Sequence, residues 1–387
     1  MTYASSAAPS VPAILDADSH LMELPDFLSR HVEQSMRDRI PSLDEIRLAD
    51  VGEQMRVYRG TVADLVALGD RITRGPKWHG ALGAFNGSER GLALDLLGFE
   101  RQVVFSSFCA TKVFTNPDPT VSRATAAAHN RAMAEFCEGD ARLIGVAIVP
   151  LDETGAAHTL IDEALDLCLG AVWIPSRAPG GRSPGHPLHD PIWRRLEETG
   201  TPFILHVGSS SLSIPHEWMN DGHPERRTAR GGVEVIGSKD LTVIFQSAQR
   251  FISVLVLDGV LEKFPALKGG VIELGAGWVP DTIRRLDHAV DIWARSEPHL
   301  GAFQRKPSEQ FRDQLRFTPY PFENVGALIR ESLPELYLFS SDYPHAEGGR
   351  DPIGRFSRAL AGIGEADQAR FFAGNFQDLF GRAGVTA

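Results

Sequence analysis

Asp18 and His20, spaced as Asp-x-His after an apolar run, His206 closing Pro202-Phe-Ile-Leu-His, and Asp342 in Ser341-Asp-Tyr-Pro344 are the residues best equipped for chemistry. Each places a carboxylate or an imidazole where an apolar strand runs out into a turn. Such oxygen and nitrogen donors are borderline-to-hard metal ligands. A lone Asp-x-His is often a turn residue, and a lone buried histidine is often only hydrogen-bonded. An ionised carboxylate ending an apolar strand, as at Asp342, needs a cationic partner. Taken together, Asp18, His20, His206 and Asp342 read as ligands of one divalent ion. Asp18 and His20 on one strand would point the same way, because strand side chains alternate.

Two further residues fall at the same places. Glu273, in Val271-Ile-Glu-Leu-Gly275, is either a general base or a carboxylate behind the ion, or half of a salt bridge to Arg284. His345, three residues past Asp342, is either a proton donor or substrate-orienting group, or a solvated loop histidine. Glu23 reads first as a helix-start residue. The run Ser209-Ser-Ser211 lacks a Gly-x-Ser-x-Gly elbow, so it reads as pocket or loop hydroxyls. Cys109 has no base beside it in sequence and reads as a packed thiol.

The elements that must position these groups recur as short apolar runs: 13–18, 101–107, 143–150, 170–175, 202–207, 269–274, 314–317 and 336–341. They are continuously apolar, as strands covered on both faces should be. Amphipathic stretches at 118–138, 156–169, 190–199 and 278–294 lie between them. Eight alternations of this kind predict an α/β fold, a distorted (β/α)8 TIM barrel. Residues 21–100 and 208–268 are too long for simple connections, leave from the C-terminal ends of strands, and are expected to cap that face. The expected organisation is a flexible tail over 1–10 and a single barrel domain over 11–387.

Composition narrows the partners. A formal charge of −11 and the absence of a basic stripe exclude a nucleic-acid reader and point to a small-molecule substrate. Three cysteines without a Cys-x-x-Cys spacing fit reduced thiols in a cytoplasmic protein. The first ten residues lack the basic and apolar regions of a signal peptide, and no uncharged apolar run is long enough to suggest a membrane span.

The stretches LDADSHLMELPDFL, PFILHVG, LDGVLEKFPALKGGVIELGAGWVPDTIRRLD, LRFTPYPFEN, LYLFSSDYPHAEGG and FFAGNFQDLFG resemble, in order, the amidohydrolase superfamily. The similarity is to its amidohydrolase-2 group, which includes aminocarboxymuconate-semialdehyde and resorcylate-type decarboxylases and related hydrolases. The resemblance implies a barrel with one divalent ion on Asp18, His20, His206 and Asp342, and a homodimer. Zinc and manganese both suit that mixed set, with zinc expected first. The family's first motif is commonly His-x-His. Asp18 resembles the acidic variant of some aromatic-acid decarboxylases, and Glu273 stands where a histidine is frequent. The function implied is non-oxidative decarboxylation of a small aromatic or unsaturated carboxylic acid, with Arg56 or Arg59 holding the acid. The alternative is hydrolysis of an amide, ester or lactone through a metal-activated water.

Overall fold

The computed structural model describes residues 13–43, 60–209, 214–223 and 237–381. Its strands are β1 (Leu15–Asp16), β2 (His20–Leu21), β3 (Arg101–Ser106), β4 (Leu143–Ile148), β5 (Ala171–Trp173), β6 (Phe203–His206), β7 (Gly269–Ile272) and β8 (Leu315–Phe317). All pair in parallel in the order β1-β3-β4-β5-β6-β7-β8, with β2 also on β3. Every residue of β4, β6, β7 and β8 is buried, so these strands could not alternate in polarity.

The main helices are α1 (Gly87–Leu97), α2 (Cys109–Phe114), α3 (Pro119–Cys137), α4 (Thr154–Asp166), α5 (Asp190–Thr199), α6 (Gln246–Leu257), α7 (Val279–Trp293) and α8 (Pro307–Gln314). Their starts follow ordinary capping rules. Asp118 accepts from the amides of Thr120 and Val121 ahead of α3, and Pro119 supplies a first-turn φ without an orphan N–H. Gly145 lets α3 seat on β4, since a Cβ there would meet Met133 at 2.9 Å and Leu169 at 2.7 Å. Residues 238–257 have the length and hydropathy of a membrane span. They fold instead as two helices, and Phe251, Ile252, Leu255 and Val256 of α6 are buried.

The ring closes less regularly than alternation suggests. The run 336–341 forms no regular strand, and the first run breaks between β1 and β2. Residues 337–343 nevertheless bridge the gap: Leu338 N–H donates to Phe317 O (2.9 Å), Ala17 N–H to Phe339 O (3.0 Å), Asp342 N–H to Asp18 O (2.9 Å) and His20 N–H to Tyr343 O (2.8 Å). The ladder is interrupted because Asp16 takes its place. That buried carboxylate accepts from the Ser341 amide (2.7 Å), the Ser341 hydroxyl (2.6 Å) and Gln102 Nε2 (2.7 Å).

Behind the break lies a fully buried arginine. Arg90 donates to Gly83 O (2.8 Å), Gln102 Oε1 (3.0 Å), Ser19 Oγ (3.3 Å) and His20 O (2.6 Å), and its guanidinium packs 5.3 Å from the Tyr343 ring centroid. Gln102 thus links a buried cation to the buried Asp16, and their hydrogen bonds hold the backbone on both sides of β2. Arg90→Leu would leave these acceptors unpaired in the interior. Chemical denaturation is expected to show a loss of about 3–5 kcal/mol.

Candidate active site

The barrel edge brings together the donors that the sequence singles out. Asp18 precedes β2, which begins at His20; His206 ends β6; Glu273 follows β7; Asp342 and His345 lie in the closing segment. All but Glu273, which is partly buried, are at most 6 % exposed. Asp18 lies in the break rather than on the same strand as His20, yet both reach one point. His20 Nε2 is 3.5 Å from Asp18 Oδ1, 3.4 Å from Glu273 Oε2 and 3.5 Å from Asp342 Oδ1. His206 Nε2 is 3.4 Å from Asp18 Oδ1 and 3.3 Å from Glu273 Oε2.

These spacings are long for charge-assisted hydrogen bonds, which run about 2.7–2.9 Å. They match the edges, about 3.4 Å, of a tetrahedron whose corners lie about 2.1 Å from a central ion. His20 Nε2 and Asp342 Oδ1 are buried without a hydrogen-bond partner among the described residues. Both rings also have their tautomer chosen. His20 Nδ1 faces Ser106 O (3.1 Å) and His206 Nδ1 faces Val207 O (3.1 Å). A carbonyl only accepts, so each Nδ1 carries the proton and each Nε2 turns its lone pair into the cluster. The residues therefore fit a divalent ion.

Electrostatics separates the carboxylates. Burial, reinforced by the Glu273 and Asp18 carboxylates, pushes the Asp342 carboxyl well above its ordinary value. Burial opposes ionisation of Asp18 as well, but hydrogen bonds and charge from His20 and His206, whenever those rings carry a second proton, hold its carboxyl below the usual range. Burial and the neighbouring His20 and His206 push His345 well below an ordinary histidine, which leaves it neutral. His345 is no surface residue. It stacks on His20 at 3.9 Å between centroids, packs against Trp78 at 4.5 Å, contacts Ser107 Oγ at 3.0 Å and approaches Asp342 Oδ1 at 3.2 Å. Nor does Glu273 form the salt bridge considered for Arg284, which pairs with Asp281 (3.8 Å) on the exposed face of α7.

The backbone is bent to aim these groups. Glu273, Asp342 and Trp78 adopt left-handed φ of 55°, 53° and 57°. Each such residue costs on the order of 1–3 kcal/mol unless its surroundings hold it. Glu273 N–H donates to Thr318 Oγ1 (2.9 Å), and Asp342 N–H is fixed by Asp18 O. Gly348 packs where any Cβ would lie 1.9 Å from Ser341 O, which keeps the loop after His345 folded against the site.

Arg56 and Arg59 lie outside the described residues, as do Ser210 and Ser211. Ser209 is buried against Ser176 (3.1 Å), and burial pushes the Cys109 thiol up. Two groups bear on the site in ways the sequence did not specify. Lys77, half-buried in the first long connection, donates to Gly349 O (3.1 Å) and makes no ion pair among the described residues, while the charges of Asp342 and Glu347 act on it at longer range. Glu23 does not start its own helix. Its carboxylate accepts from Ser106 Oγ (2.5 Å) and from the amides of Ser107 (3.1 Å), Phe108 (3.1 Å) and Cys109 (3.2 Å), capping α2 from across the barrel. Ser106 and Ser107 are the residues that contact His20 and His345, so Glu23 holds both rings indirectly.

The amidohydrolase family model matches residues 109–382, more than two thirds of the chain. The chain belongs to the amidohydrolase family. Solved structures with the same fold include an amidohydrolase from Mycobacterium avium subsp. paratuberculosis K-10 (24 % identity, TM-score 0.73, 95 % of this chain and 99 % of that one). A 5-carboxyvanillate decarboxylase from Sphingomonas paucimobilis is similar at 19 % identity, TM-score 0.61, over 95 % and 98 %. So is a dihydroxybenzoic acid decarboxylase from Polaromonas sp. JS666, solved with manganese and the inhibitor 2-nitroresorcinol, at 20 % identity, TM-score 0.61, over 95 % and 97 %. No curated protein matches. As an amidohydrolase the chain is an enzyme, and its barrel mouth carries the converged donors.

Glu23→Ala would remove the carboxylate that accepts from the Ser107 and Phe108 amides and the Ser106 hydroxyl, while the Cys109 amide keeps Ser106 Oγ (3.0 Å). Thermal and denaturant unfolding are expected to show a loss of about 2–4 kcal/mol, with a smaller loss for Glu23→Gln, which keeps an acceptor oxygen.

Proposed function

We propose that this amidohydrolase is a metal-dependent carboxy-lyase that removes CO2 from a small aromatic or unsaturated carboxylic acid. The observation that carries the metal dependence is the His20 Nε2 lone pair, buried at 3.4–3.5 Å from three carboxylate oxygens. Asp18, His20, His206 and Asp342 would hold one divalent ion of the zinc or manganese type. When bound, the ion supplies an electrophile for the substrate's oxygens. Support for decarboxylation comes from the charge beside the site, where Lys77 has no carboxylate partner among the described residues, and from the decarboxylases that share the fold.

In this reading Lys77, with Arg56 or Arg59, holds the acid. Asp342 or a partner such as His345 gives a proton to the ring or chain carbon as the bond to the carboxylate breaks. The electron pair stays on that carbon and CO2 leaves neutral. His345, 3.2 Å from Asp342, relays the replacement proton. Free thiols at Cys109, Cys137 and Cys168 support a cytoplasmic enzyme. Pairing of two such chains belongs to the same proposal.

Elemental analysis of the purified protein is expected to find about one zinc or manganese per chain, lost from folded His206→Ala and Asp342→Ala variants. With the metal-loaded enzyme, a panel of hydroxylated aromatic acids, lactones and amides is expected to release CO2 from an acid. Turnover of a lactone or amide without CO2 would establish the hydrolase instead. Lys77→Met is expected to raise KM for the acid by about 10-fold or more, with a smaller change in kcat.

A further inference from the structure

We propose that Glu273 is a direct ligand of the ion, binding through Oε2, and not the group that moves the proton. The proposal rests on the metal dependence argued above. Glu273 Oε2 lies 3.3 Å from His206 Nε2 and 3.4 Å from His20 Nε2, while Asp18 Oδ1 lies 3.4 and 3.5 Å from the same two nitrogens. The two oxygens thus stand in equivalent relation to both imidazole lone pairs. Whatever Asp18 can bind between them, Glu273 can bind as well.

The grouping of donors points the same way. One candidate ligand atom from each of Asp18, His20, His206 and Glu273 lies within 4.8 Å of the others, and so do those of His20, Glu273, Asp342 and His345. His20 and Glu273 are common to both groups, whereas Asp342 belongs only to the second. The groups cannot each hold an ion of their own. His20 has spent Nδ1 on the Ser106 carbonyl and has a single lone pair left, at Nε2. One ion on that lone pair has Glu273 in reach in either grouping.

The backbone around Glu273 suits a fixed donor better than a mobile base. Its φ of 55° turns the side chain inward, its N–H is tied to Thr318 Oγ1 at 2.9 Å, and its carbonyl accepts from the Tyr320 hydroxyl at 3.1 Å. The group that holds Asp18, His20, His206 and Glu273 contains two imidazoles and two carboxylates. That mixed nitrogen and oxygen set suits Zn2+ or Mn2+ and leaves further positions for substrate oxygens.

The test compares wild type, Glu273→Gln, Glu273→His and His206→Ala, each stripped of metal and titrated with Mn2+ against a chelator of known affinity. Circular dichroism checks folding. Glu273→Gln is expected to bind Mn2+ at least about 10-fold more weakly, since even loss of a residue that only supports a ligand costs 10–100-fold. Spin-echo modulation of the bound Mn2+ counts coordinated histidine nitrogens. Two are expected in wild type and three in Glu273→His, a readout that stands even if the glutamine variant fails to fold. Unchanged affinity in folded Glu273→Gln, or two nitrogens in Glu273→His, would overturn the proposal while leaving the metal enzyme intact. Wild type that binds no Mn2+ or Zn2+, or His206→Ala that binds as well as wild type, would overturn the metal dependence and this proposal with it.

Discussion

Three carboxyl groups and two imidazoles with lone pairs turned toward each other occupy one buried point, and that arrangement cannot persist without positive charge. Two carboxylates within 4.8 Å repel by roughly 3–4 kcal/mol even at an effective dielectric of about 20. The proteins of this fold that keep such a cluster must therefore bind a cation or protonate a member. Here both answers are visible. Asp18 is held ionised by two imidazoles whenever those rings carry a second proton, while Asp342, with carboxylates on either side, is pushed toward its neutral form.

Everything around the cluster serves to keep those groups from relaxing apart. Left-handed backbone at Glu273, Asp342 and Trp78 is unfavourable in isolation and is held by Thr318, by Asp18 O and by Pro344 O, which accepts from the Trp78 amide at 3.1 Å. Glu23 braces the loop that carries the Ser106 carbonyl and the Ser107 hydroxyl. Arg90, Gln102 and Asp16 replace the missing ladder where the ring closes. A buried arginine and a buried aspartate joined through an amide are costly unless every partner is present, so the network tolerates one register of the closing segment and no other. That register puts Asp342 opposite Asp18.

The strands and longer helices were legible in the sequence because burial on both faces leaves uninterrupted apolar runs, and because Asp118-Pro119 and Gly200 punctuate helix ends plainly. Asp18, His20, His206, Glu273, Asp342 and His345 were legible for a related reason: a charged or imidazole side chain ending an apolar run is costly without a partner. The irregular closure was not legible. Its cause is a side chain, Asp16, accepting from a residue 325 positions away, and no local pattern encodes that contact. Glu23 was misread because its position before Pro25 resembles a helix start, whereas its carboxylate caps a helix 86 residues on. Arg90 sits in the first long connection, where an arginine is ordinarily solvated, and only the fold buries it.

The charge balance of the site bears on which reaction it favours. In the proposed reading, with Asp342 carrying the proton it donates, Asp18 and Glu273 together match a divalent ion, and the Lys77 ammonium, opposed at longer range by Glu347, lies beside them. Such a site suits an anionic substrate. In the proposed decarboxylation the substrate brings one negative charge, CO2 departs without it, and the proton given up by Asp342 leaves that charge on the aspartate. Net charge is therefore conserved within the pocket from substrate to products, which a buried cluster demands, since moving a charge into a low-dielectric interior is costly. Hydrolysis of a neutral amide or lactone would begin without a substrate anion facing Lys77, leaving its charge to Asp342 and Glu347 beyond ion-pair distance. In the proposed reading the Lys77 ammonium, more than the metal cluster, favours an acid.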